Sequence, residues 1–338
     1  DFAKTGLLEP GAEETITFTI PVENLASYDT EGAGCYVLES GDYVVSINSD
    51  SHNVLDSQTY TVSSTVTYGE SNKRESDMIP AVNQFDYAEG DITYLSRANS
   101  FANYAQATAA PTNFEMDAED KADFYNKNNY LTAEATAMDE DPNAAAVTTG
   151  AKNNLQLKEL RGLSYDDPQW DKLLDQLTLD DMNTLISLGG YQTSAVDAIG
   201  KVRTNDNDGP ASINNNFTGV GSVGFPAGVM IAATWSKALA HDFGSSIGKM
   251  ADEMNTSGWY APAMNIHRTS FAGRNFEYYS EDGYLSGAMA ANAVAGAKEH
   301  GVYSYMKHFA LNDQEGNRNS MLCTWSNEQA IREIYLKP

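Results

Sequence analysis

The sequence predicts a multidomain protein in which an antiparallel β-sandwich precedes an α/β domain. The first 68 residues are rich in β-branched segments that turn signals separate, which is typical of a sandwich. Further along, residues 259–266 and 302–311 are apolar runs with strand character, and residues 284–300 between them carry a helical pattern. A strand, a polar loop, a helix and a second strand in this order form the β-α-β unit of α/β proteins.

Three segments define the predicted sandwich within residues 1–68. Residues 15–20 (TITFTI) alternate between polar and apolar side chains, as a half-buried strand does. Residues 43–47 (YVVSI) follow a turn signal at residues 39–42, and residues 58–68 (QTYTVSSTVTY) are a long β-branched run. Strands of this length and spacing predict an antiparallel sandwich.

Residues 69–164 show little periodicity and are predicted to form an irregular connector. Asn-rich and Ala/Thr-rich stretches dominate this segment, and a helical pattern is visible only at residues 118–125. A long connection without regular structure is usually a linker or a functional loop. We therefore expect the connector to be ordered against its neighbours rather than to form a separate domain.

Residues 165–338 carry the helices and strands of the predicted α/β domain. Pro168 begins one helical pattern, and residues 180–188 and 236–254 carry two more. A last helix has Ser326 as its expected N-cap, with Gln329 three residues on. Strands are expected near Val202, Met230, Trp259 and Val302. About four βα units correspond to an incomplete barrel, because a closed α/β barrel has eight.

Composition excludes several classes of partner. The 338 residues carry a formal net charge of −26, which argues against nucleic acid or an anionic membrane as a ligand. No run of 18 apolar residues is present, so a membrane span is not predicted. The two cysteines, Cys35 and Cys323, lie in different predicted domains and indicate neither a disulfide framework nor a metal site. The compartment does not follow from these observations.

Residues 204–215 partly match the calcium-binding loop of an EF-hand. Thr204, Asp206 and Asp208 occupy the first, third and fifth positions, with Gly209 at the sixth. The twelfth position is Asn215 rather than the bidentate Glu that an EF-hand requires, so the pattern does not predict calcium binding.

Polar clusters follow both apolar runs of the β-α-β unit. Functional side chains of α/β barrels lie at the carboxyl ends of the strands, so these clusters are candidate binding groups. The first cluster contains Arg274, Glu277, Glu281 and Asp282; the second contains Lys307, His308, Asn312, Asp313, Glu315 and Arg318.

Four segments in this region resemble the catalytic barrel of glycoside hydrolase family 3. They are DNDGPAS at residues 206–212, FPAGVMIAATW at 225–235, AGRNFEYYSEDGYLSG at 272–287 and KHFALNDQEGNR at 307–318. Residues 7–29 and 38–50 resemble later strands of the fibronectin type III-like domain of many family members. The resemblance implies a partial fibronectin type III-like β-sandwich (residues 1–68), the connector (69–164) and an incomplete α/β TIM-type barrel (165–338), in the permuted order in which the sandwich precedes the barrel.

The resemblance also implies a sugar-binding subsite made by Asp208, Arg274, Lys307, His308 and Arg318. Lysine offers three donors and arginine five to sugar oxygens, and a carboxylate can accept from two neighbouring hydroxyls. Glu281 and Asp282 are expected to hold Arg274 rather than to act as catalytic acids. The chain departs from the family pattern after Asp208, where Ser212 replaces a Gly and Asn214 an Arg.

The implied function is that of a retaining, exo-acting β-glucosidase that needs no cofactor or metal. Its substrates would be β-linked oligosaccharides or aryl and alkyl β-glucosides. The family nucleophile is expected beyond Pro338 and the acid/base upstream of Asp1, so the chain is interpreted as an internal fragment that the rest of the enzyme or a complementing chain would complete. The alternatives are a β-xylosidase or another family 3 exo-glycosidase, and a non-catalytic carbohydrate-binding protein on the same scaffold.

Overall fold

The computed structural model describes residues 1–50, 52–90, 92–96, 99–110, 148–215, 219–320 and 322–338, and the single positions 112, 115 and 118. The chain forms two compact units. The first comprises Asp1–Gly90, Leu188–Ala195 and Val202–Pro338, and the second comprises Asp91–Ser187 and Val196–Lys201. The division into three domains at residues 68 and 164 stays a prediction.

Two small antiparallel sheets form the N-terminal part of the first unit. β1 (Ser27–Asp29) and β2 (Cys35–Leu38) join β5 (Val66–Tyr68) in a sheet of order β1-β2-β5, and β3 (Gly41–Asn48) pairs with β4 (Val54–Val62). The strand predicted at residues 43–47 is confirmed as part of β3. The β-branched run at residues 58–68 instead divides between β4 and β5, because a turn at residues 63–65 interrupts it.

The strand predicted at residues 15–20 is wrong. These residues form no strand, and Ile16, Phe18 and Ile20 are 38%, 45% and 49% exposed. Alternation marks one face of a segment as apolar, but a strand also needs a neighbour to pair its backbone N–H and C=O groups. Residues 15–20 have the pattern without such a neighbour.

The second unit is built from short helices. They are α1 (Tyr104–Ala107), α2 (Gln169–Leu174) and α3 (Leu179–Ser187), and a 3-10 turn at Leu157–Leu160 packs against α2. The helices expected at Pro168 and at residues 180–188 are confirmed, and Thr178 caps α3 by accepting a hydrogen bond from the N–H of Asp181 at 3.1 Å. Of the helical pattern at residues 118–125, all but the first position lie outside the described residues. The buried apolar side chains among the described residues of this unit are Leu160, Leu173, Leu177, Val196 and Ile199.

A four-stranded open sheet forms the C-terminal part of the first unit. β6 (Gln192–Thr193) and β7 (Thr204–Asn207) are antiparallel, and a hairpin of β8 (Asn214–Asn215) and β9 (Val220–Gly221) follows. Next come α4 (Gly228–Ala232), α5 (Lys237–Glu253), β10 (Gly258–Trp259), α6 (Gly283–Lys298), β11 (Tyr303–Ser304) and α7 (Glu328–Ala330). The sheet order is β11-β10-β7-β6, and β7, β10 and β11 are parallel.

The predicted β-α-β unit is therefore present as β10, α6 and β11, but its strands are shorter than their apolar runs. Pro262 supplies no N–H to a sheet, and beyond it the pairing continues only as a single bridge between Ala263 and Lys307. The strand expected near Met230 is wrong, because this residue lies in α4. The last helix is capped by Asn327, whose side chain accepts from the N–H of Ala330 at 2.8 Å, and not by Ser326.

Helices α5 and α6 pack against each other through glycines. A Cβ on Gly244 would lie 1.9 Å from the carbonyl oxygen of Ala293, and one on Gly296 would lie 2.2 Å from that of His241, so only glycine permits this approach. Both helices are capped at their N-termini, since Ser236 accepts from the N–H of Leu239 and Asp282 accepts from the N–H of Leu285. Their buried faces form the main core with Trp259, a set that includes Ala240, Phe243, Ile247, Met289, Ala293 and Val302.

No helix among the described residues combines the length and the apolar character needed to cross a bilayer.

A buried ion pair joins α7 to the N-terminal part of the first unit. The Glu328 carboxylate, whose side chain has no exposed surface, accepts from Arg332 Nε at 2.7 Å and from the N–H of Phe85 at 2.6 Å. Arg332 in turn donates to the carbonyl of Val82 at 2.6 Å and lies over the ring of Tyr28. One carboxylate thus ties together segments about 240 residues apart in the sequence.

Removal of this carboxylate should destabilise the first unit strongly. Glu328→Ala leaves Arg332 buried without its counter-charge, which costs about 3–5 kcal/mol in comparable sites. We expect a lower urea unfolding midpoint at an unchanged m-value. The matched control is Glu299→Ala, which removes a 57% exposed partner of His241 and should cost about 0–1 kcal/mol. Equal losses in the two variants would contradict the clamping role of Glu328.

Candidate active site

The candidate site lies where the parallel strands of the first unit end. Side chains of a strand alternate between its two faces, so residues two apart share a face. Asp206 and Asp208 are two apart on β7 and just beyond it, and Tyr303, Tyr305 and Lys307 follow the same spacing from β11 onward. Contacts between the two sets show that they share one face of the sheet. Asp206 accepts from the phenols of Tyr303 and Tyr305 at 2.5 and 2.9 Å, and Asp208 pairs with Lys307.

Asp208 and Lys307 form the central ion pair. Lys307 Nζ lies 2.6 Å from Asp208 Oδ1, and the two side chains are 14% and 39% exposed. Burial raises the pKa of the Asp208 carboxyl, but the hydrogen bonds from Lys307 and from the Gly209 N–H, with the charges of Lys307 and Arg274, outweigh it and lower the pKa. Asp208 is therefore an ionised acceptor at neutral pH, and its exposed fraction leaves room for a ligand.

The loop after Asp208 depends on a glycine and on backbone hydrogen bonds to Asn214. Gly209 has a φ of 107°, and a Cβ there would lie 2.6 Å from the carbonyl oxygen of Ser212. Its own carbonyl accepts from Trp259 Nε1 at 2.7 Å, which ties the loop to the core. The backbone of Asn214 exchanges two hydrogen bonds of 2.8 Å with that of Asp208. Asn214, in the place of the family Arg, therefore holds Asp208 through its main chain.

Arg274 is held by two carboxylates, which differ from those expected. Its Nε donates to Glu277, which is buried, and its Nη1 lies 3.8 Å from Glu315 Oε2. The expectation that Glu281 and Asp282 hold Arg274 is wrong, since Asp282 instead caps α6. Burial lowers the pKa of Arg274, but the hydrogen bond to Glu277 and the nearby negative charges outweigh it, so the pKa is raised and the guanidinium stays charged.

Arg318 reaches this group through a shared carboxylate. Its Nε donates to Glu315 Oε1 at 2.9 Å, while Glu315 Oε2 faces Arg274. Arg318 is the more exposed of the two arginines, at 43% against 20%. Arg274 and Arg318 are therefore linked only through Glu315. The structure, and not the sequence, identifies the two arginines as the partners of Glu315.

His308 lies beside the cations and is held from both sides. Its backbone N–H donates to Asn265 Oδ1 at 2.6 Å, and its imidazole Nδ1 lies 2.9 Å from the hydroxyl of Tyr278. Burial lowers the pKa of the imidazole to about 4, and the charges of Arg274, Lys307 and Arg318 act in the same direction, with Asp208 opposing them. His308 is therefore neutral at physiological pH.

The structure thus brings all five predicted residues into one electrostatic neighbourhood, with direct contact between Asp208 and Lys307. Sequence reasoning did not identify the residues that hydrogen-bond within or next to this group. They are Asp206, Asn265, Tyr278, Tyr303 and Tyr305. Tyr303, Tyr305 and Lys307 are spaced two residues apart. This spacing could have indicated the two tyrosines as neighbours of Lys307, because side chains two apart on a strand share a face. Within the described residues, no group of three His, Cys, Asp or Glu side chains could hold a metal ion.

We expect His308 to make stability depend on pH. Its pKa is about 4 in the folded chain, whereas an unfolded histidine titrates near about 6.5. The unfolded chain takes up the proton first, so this contribution is complete above about pH 6.5 and is lost as the pH falls toward 4. His308→Gln should therefore lose less stability than the wild type between about pH 7 and about pH 4.5, measured as urea unfolding midpoints. His241→Gln, at a surface ion pair, is the control, and the same pH dependence in His308→Gln and wild type would contradict the assignment.

Comparison with known proteins identifies two segments that match family models. The glycosyl hydrolase family 3 N-terminal domain matches residues 213–338, and the fibronectin type III-like domain matches residues 1–51. Beta-glucosidase A of Butyrivibrio fibrisolvens is 30% identical over 99% of this chain and 40% of its own length. A β-glucosidase of Ruminococcus albus is 29% identical over 99% of the chain and 34% of its own length.

A solved structure shares the fold. The β-glucosidase of Paenibacillus barengoltzii superposes with a TM-score of 0.63 at 22% identity, over 94% of this chain and 33% of that one. The chain therefore spans about a third to two fifths of the proteins it matches. The resemblance read from the four sequence segments is confirmed, since residues 213–338 match the glycosyl hydrolase family 3 N-terminal domain and the fibronectin type III-like match at residues 1–51 precedes them.

Proposed function

We propose that the protein is a retaining, exo-acting β-glucosidase that hydrolyses terminal non-reducing β-D-glucosyl residues, and that this chain supplies part of its sugar-binding subsite. The observation that carries the proposal is the joint placement of Asp208, Arg274, Lys307 and His308 around the carboxyl ends of β7 and β11. Two relatives that match 99% of the chain are β-glucosidases.

The proposed roles follow from donor and acceptor chemistry. Asp208 is ionised and can accept hydrogen bonds from sugar hydroxyls, while Lys307 neutralises it and can donate to a sugar oxygen. Arg274 keeps its charge and directs it toward ligand oxygens, and Arg318 supports it through Glu315. The ligand class is a β-linked oligosaccharide or an aryl or alkyl β-glucoside.

Retaining hydrolysis needs two carboxyl groups about 5–5.5 Å apart, one as the nucleophile and one as the acid/base. We assign neither role to a residue of this chain. Its acidic side chains at the site have other partners, since Glu277 and Glu315 hold arginines and Asp208 holds Lys307. The proposed contribution of these residues is binding and orientation of the glucosyl unit, which lowers the barrier by holding the reacting bond in place.

The finer description of the fold belongs to the same proposal. We infer that the open sheet of β6, β7, β10 and β11 contributes strands to an α/β TIM-type barrel, that residues 1–68 contribute to a fibronectin type III-like sandwich, and that residues 69–164 connect them. Three parallel strands with a helix between β10 and β11, and candidate ligand groups at their carboxyl ends, support this inference.

The proposed function is tested with the full-length protein on a matched pair of aryl glycosides. We expect hydrolysis of the aryl β-glucoside with a higher kcat/KM than that of the aryl β-xyloside, and release of glucose as the β-anomer, seen by proton NMR at early time. Faster hydrolysis of the xyloside would make the protein a β-xylosidase. Glucose binding without hydrolysis of either would make it a carbohydrate-binding protein.

Arg274→Lys should separate the binding role of Arg274 from its role in the fold. Lysine keeps the positive charge beside the buried Glu277 but loses the planar set of donors. Loss of a charged hydrogen bond costs about 1.5–3 kcal/mol, so kcat/KM should fall roughly ten- to a hundredfold at an unchanged Tm. Arg203→Lys, an exposed position one residue before β7, is the control and should leave kcat/KM unchanged. Wild-type kinetics in Arg274→Lys would mean that Arg274 only braces its loop.

A further inference from the structure

His308 Nδ1 faces two hydrogen-bond donors. The hydroxyl of Tyr278 lies 2.9 Å from Nδ1, and Asn312 Nδ2 lies 3.4 Å from it. Asn312 Nδ2 also donates to the hydroxyl oxygen of Tyr278 at 2.6 Å. Tyr278, Asn312 and His308 thus form a closed triangle of hydrogen bonds, which we call the His308 triangle.

The direction of each bond in the His308 triangle follows from what each group can donate. The Asn312 amide nitrogen only donates, and it uses the oxygen of Tyr278 as its acceptor. Tyr278 is fully buried, and burial raises the pKa of its phenol, so the phenol keeps its proton. With its oxygen accepting from Asn312, the Tyr278 hydroxyl directs its proton to Nδ1. Nδ1 therefore accepts.

The imidazole then has one place for its proton. The low pKa of His308 keeps the ring neutral, and a neutral imidazole carries one N–H. Because Nδ1 accepts, that hydrogen is on Nε2. The backbone N–H of His308 donates to Asn265 Oδ1, and the imidazole ring contacts the Tyr278 ring edge-on, with the centroids 5.9 Å apart.

We propose that Tyr278 and Asn312 are positioning residues that lock neutral His308 in the Nε2–H tautomer, so that Nε2 donates a hydrogen bond to an oxygen of the bound sugar. The identity of the ligand rests on the proposed function, but the tautomer does not. The arrangement supplies a donor beside Arg274, Lys307 and Arg318 without adding a fourth positive charge to the site.

The tautomer is measured directly by long-range proton–nitrogen NMR on the full chain labelled with 15N-histidine. The chain has five histidines, and the signal of His308 is assigned from its loss in His308→Gln. We expect His308 to show a protonated Nε2 and an unprotonated Nδ1 at neutral pH. A protonated Nδ1 would mean that the ring donates to the Tyr278 oxygen or to a reversed Asn312 amide, and it would overturn the proposal.

Two variants test whether Tyr278 and Asn312 determine the tautomer of His308. Tyr278→Phe removes the stronger donor to Nδ1, so the His308 signal should move toward a mixture of the two tautomers. Asn312→Asp replaces a donor with a carboxylate, which should draw a proton to Nδ1 and raise the pKa of His308 by about 1 to 3. Tyr279→Phe, which removes a hydroxyl from the adjacent tyrosine of the main core, is the matched control and should leave the His308 signal unchanged.

An unchanged Nε2–H signal in both Tyr278→Phe and Asn312→Asp would overturn the positioning role. If Tyr278→Phe fails to fold, the wild-type spectrum and Asn312→Asp decide the question. The consequence for the enzyme is read from kinetics of the full-length protein, where Tyr278→Phe should raise KM for the aryl β-glucoside more than it lowers kcat. Absence of hydrolysis in the wild type would refute the proposed function while leaving the tautomer result readable.

Discussion

The parallel register that places Gly258 between Asp206 and Tyr303 is the constraint on which the candidate site depends. A Cβ on Gly258 would lie 2.4 Å from the Tyr303 ring and 2.5 Å from Asp206 Oδ1, so glycine makes room for the hydrogen bond that crosses this strand. Beyond these strands Asp208, two residues after Asp206, meets Lys307, four residues after Tyr303. A slip of one residue would turn every one of these side chains to the other face of the sheet.

Strands of two residues cannot hold such a register alone, and helix packing supplies the rest. Gly244 and Gly296 let α5 and α6 approach at backbone distance, and the core beneath them surrounds the fully buried Trp259 of β10. Since Trp259 also donates to the carbonyl of Gly209, the same side chain connects the core to the loop that carries Asp208. Trp259 therefore contributes both to the packing of the core and to the position of Asp208.

The charges of the site are locally balanced in a chain whose net charge is −26. Each of the three cations faces a carboxylate. Hydrogen bonds and positive charges lower the pKa of Asp208 and keep it ionised, while burial, aided by the same positive charges, lowers the pKa of His308 and keeps it neutral. The two protonation states arise from one environment, because positive charges favour a carboxylate and disfavour an imidazolium. The site therefore offers both acceptors and neutral donors, which is what recognition of sugar hydroxyls requires.

The sequence by itself located the longer helices and the polar clusters that contain the candidate site residues, and the tertiary structure decided the partners of those residues. Helices α5 and α6 lie within two residues of the ranges 236–254 and 284–300 that their sequence patterns predict, because such patterns are local, whereas the caps at Ser236 and Asp282 were identified only by the structure. Strand lengths, the unpaired segment at residues 15–20 and the pairing of Arg274 with Glu277 and Glu315 were not predictable in this way. Each depends on groups that folding brings together, and for Asp208 and Lys307 these lie 99 residues apart. A local pattern can show that a residue is suited to a partner, but only the packed chain selects which partner it meets.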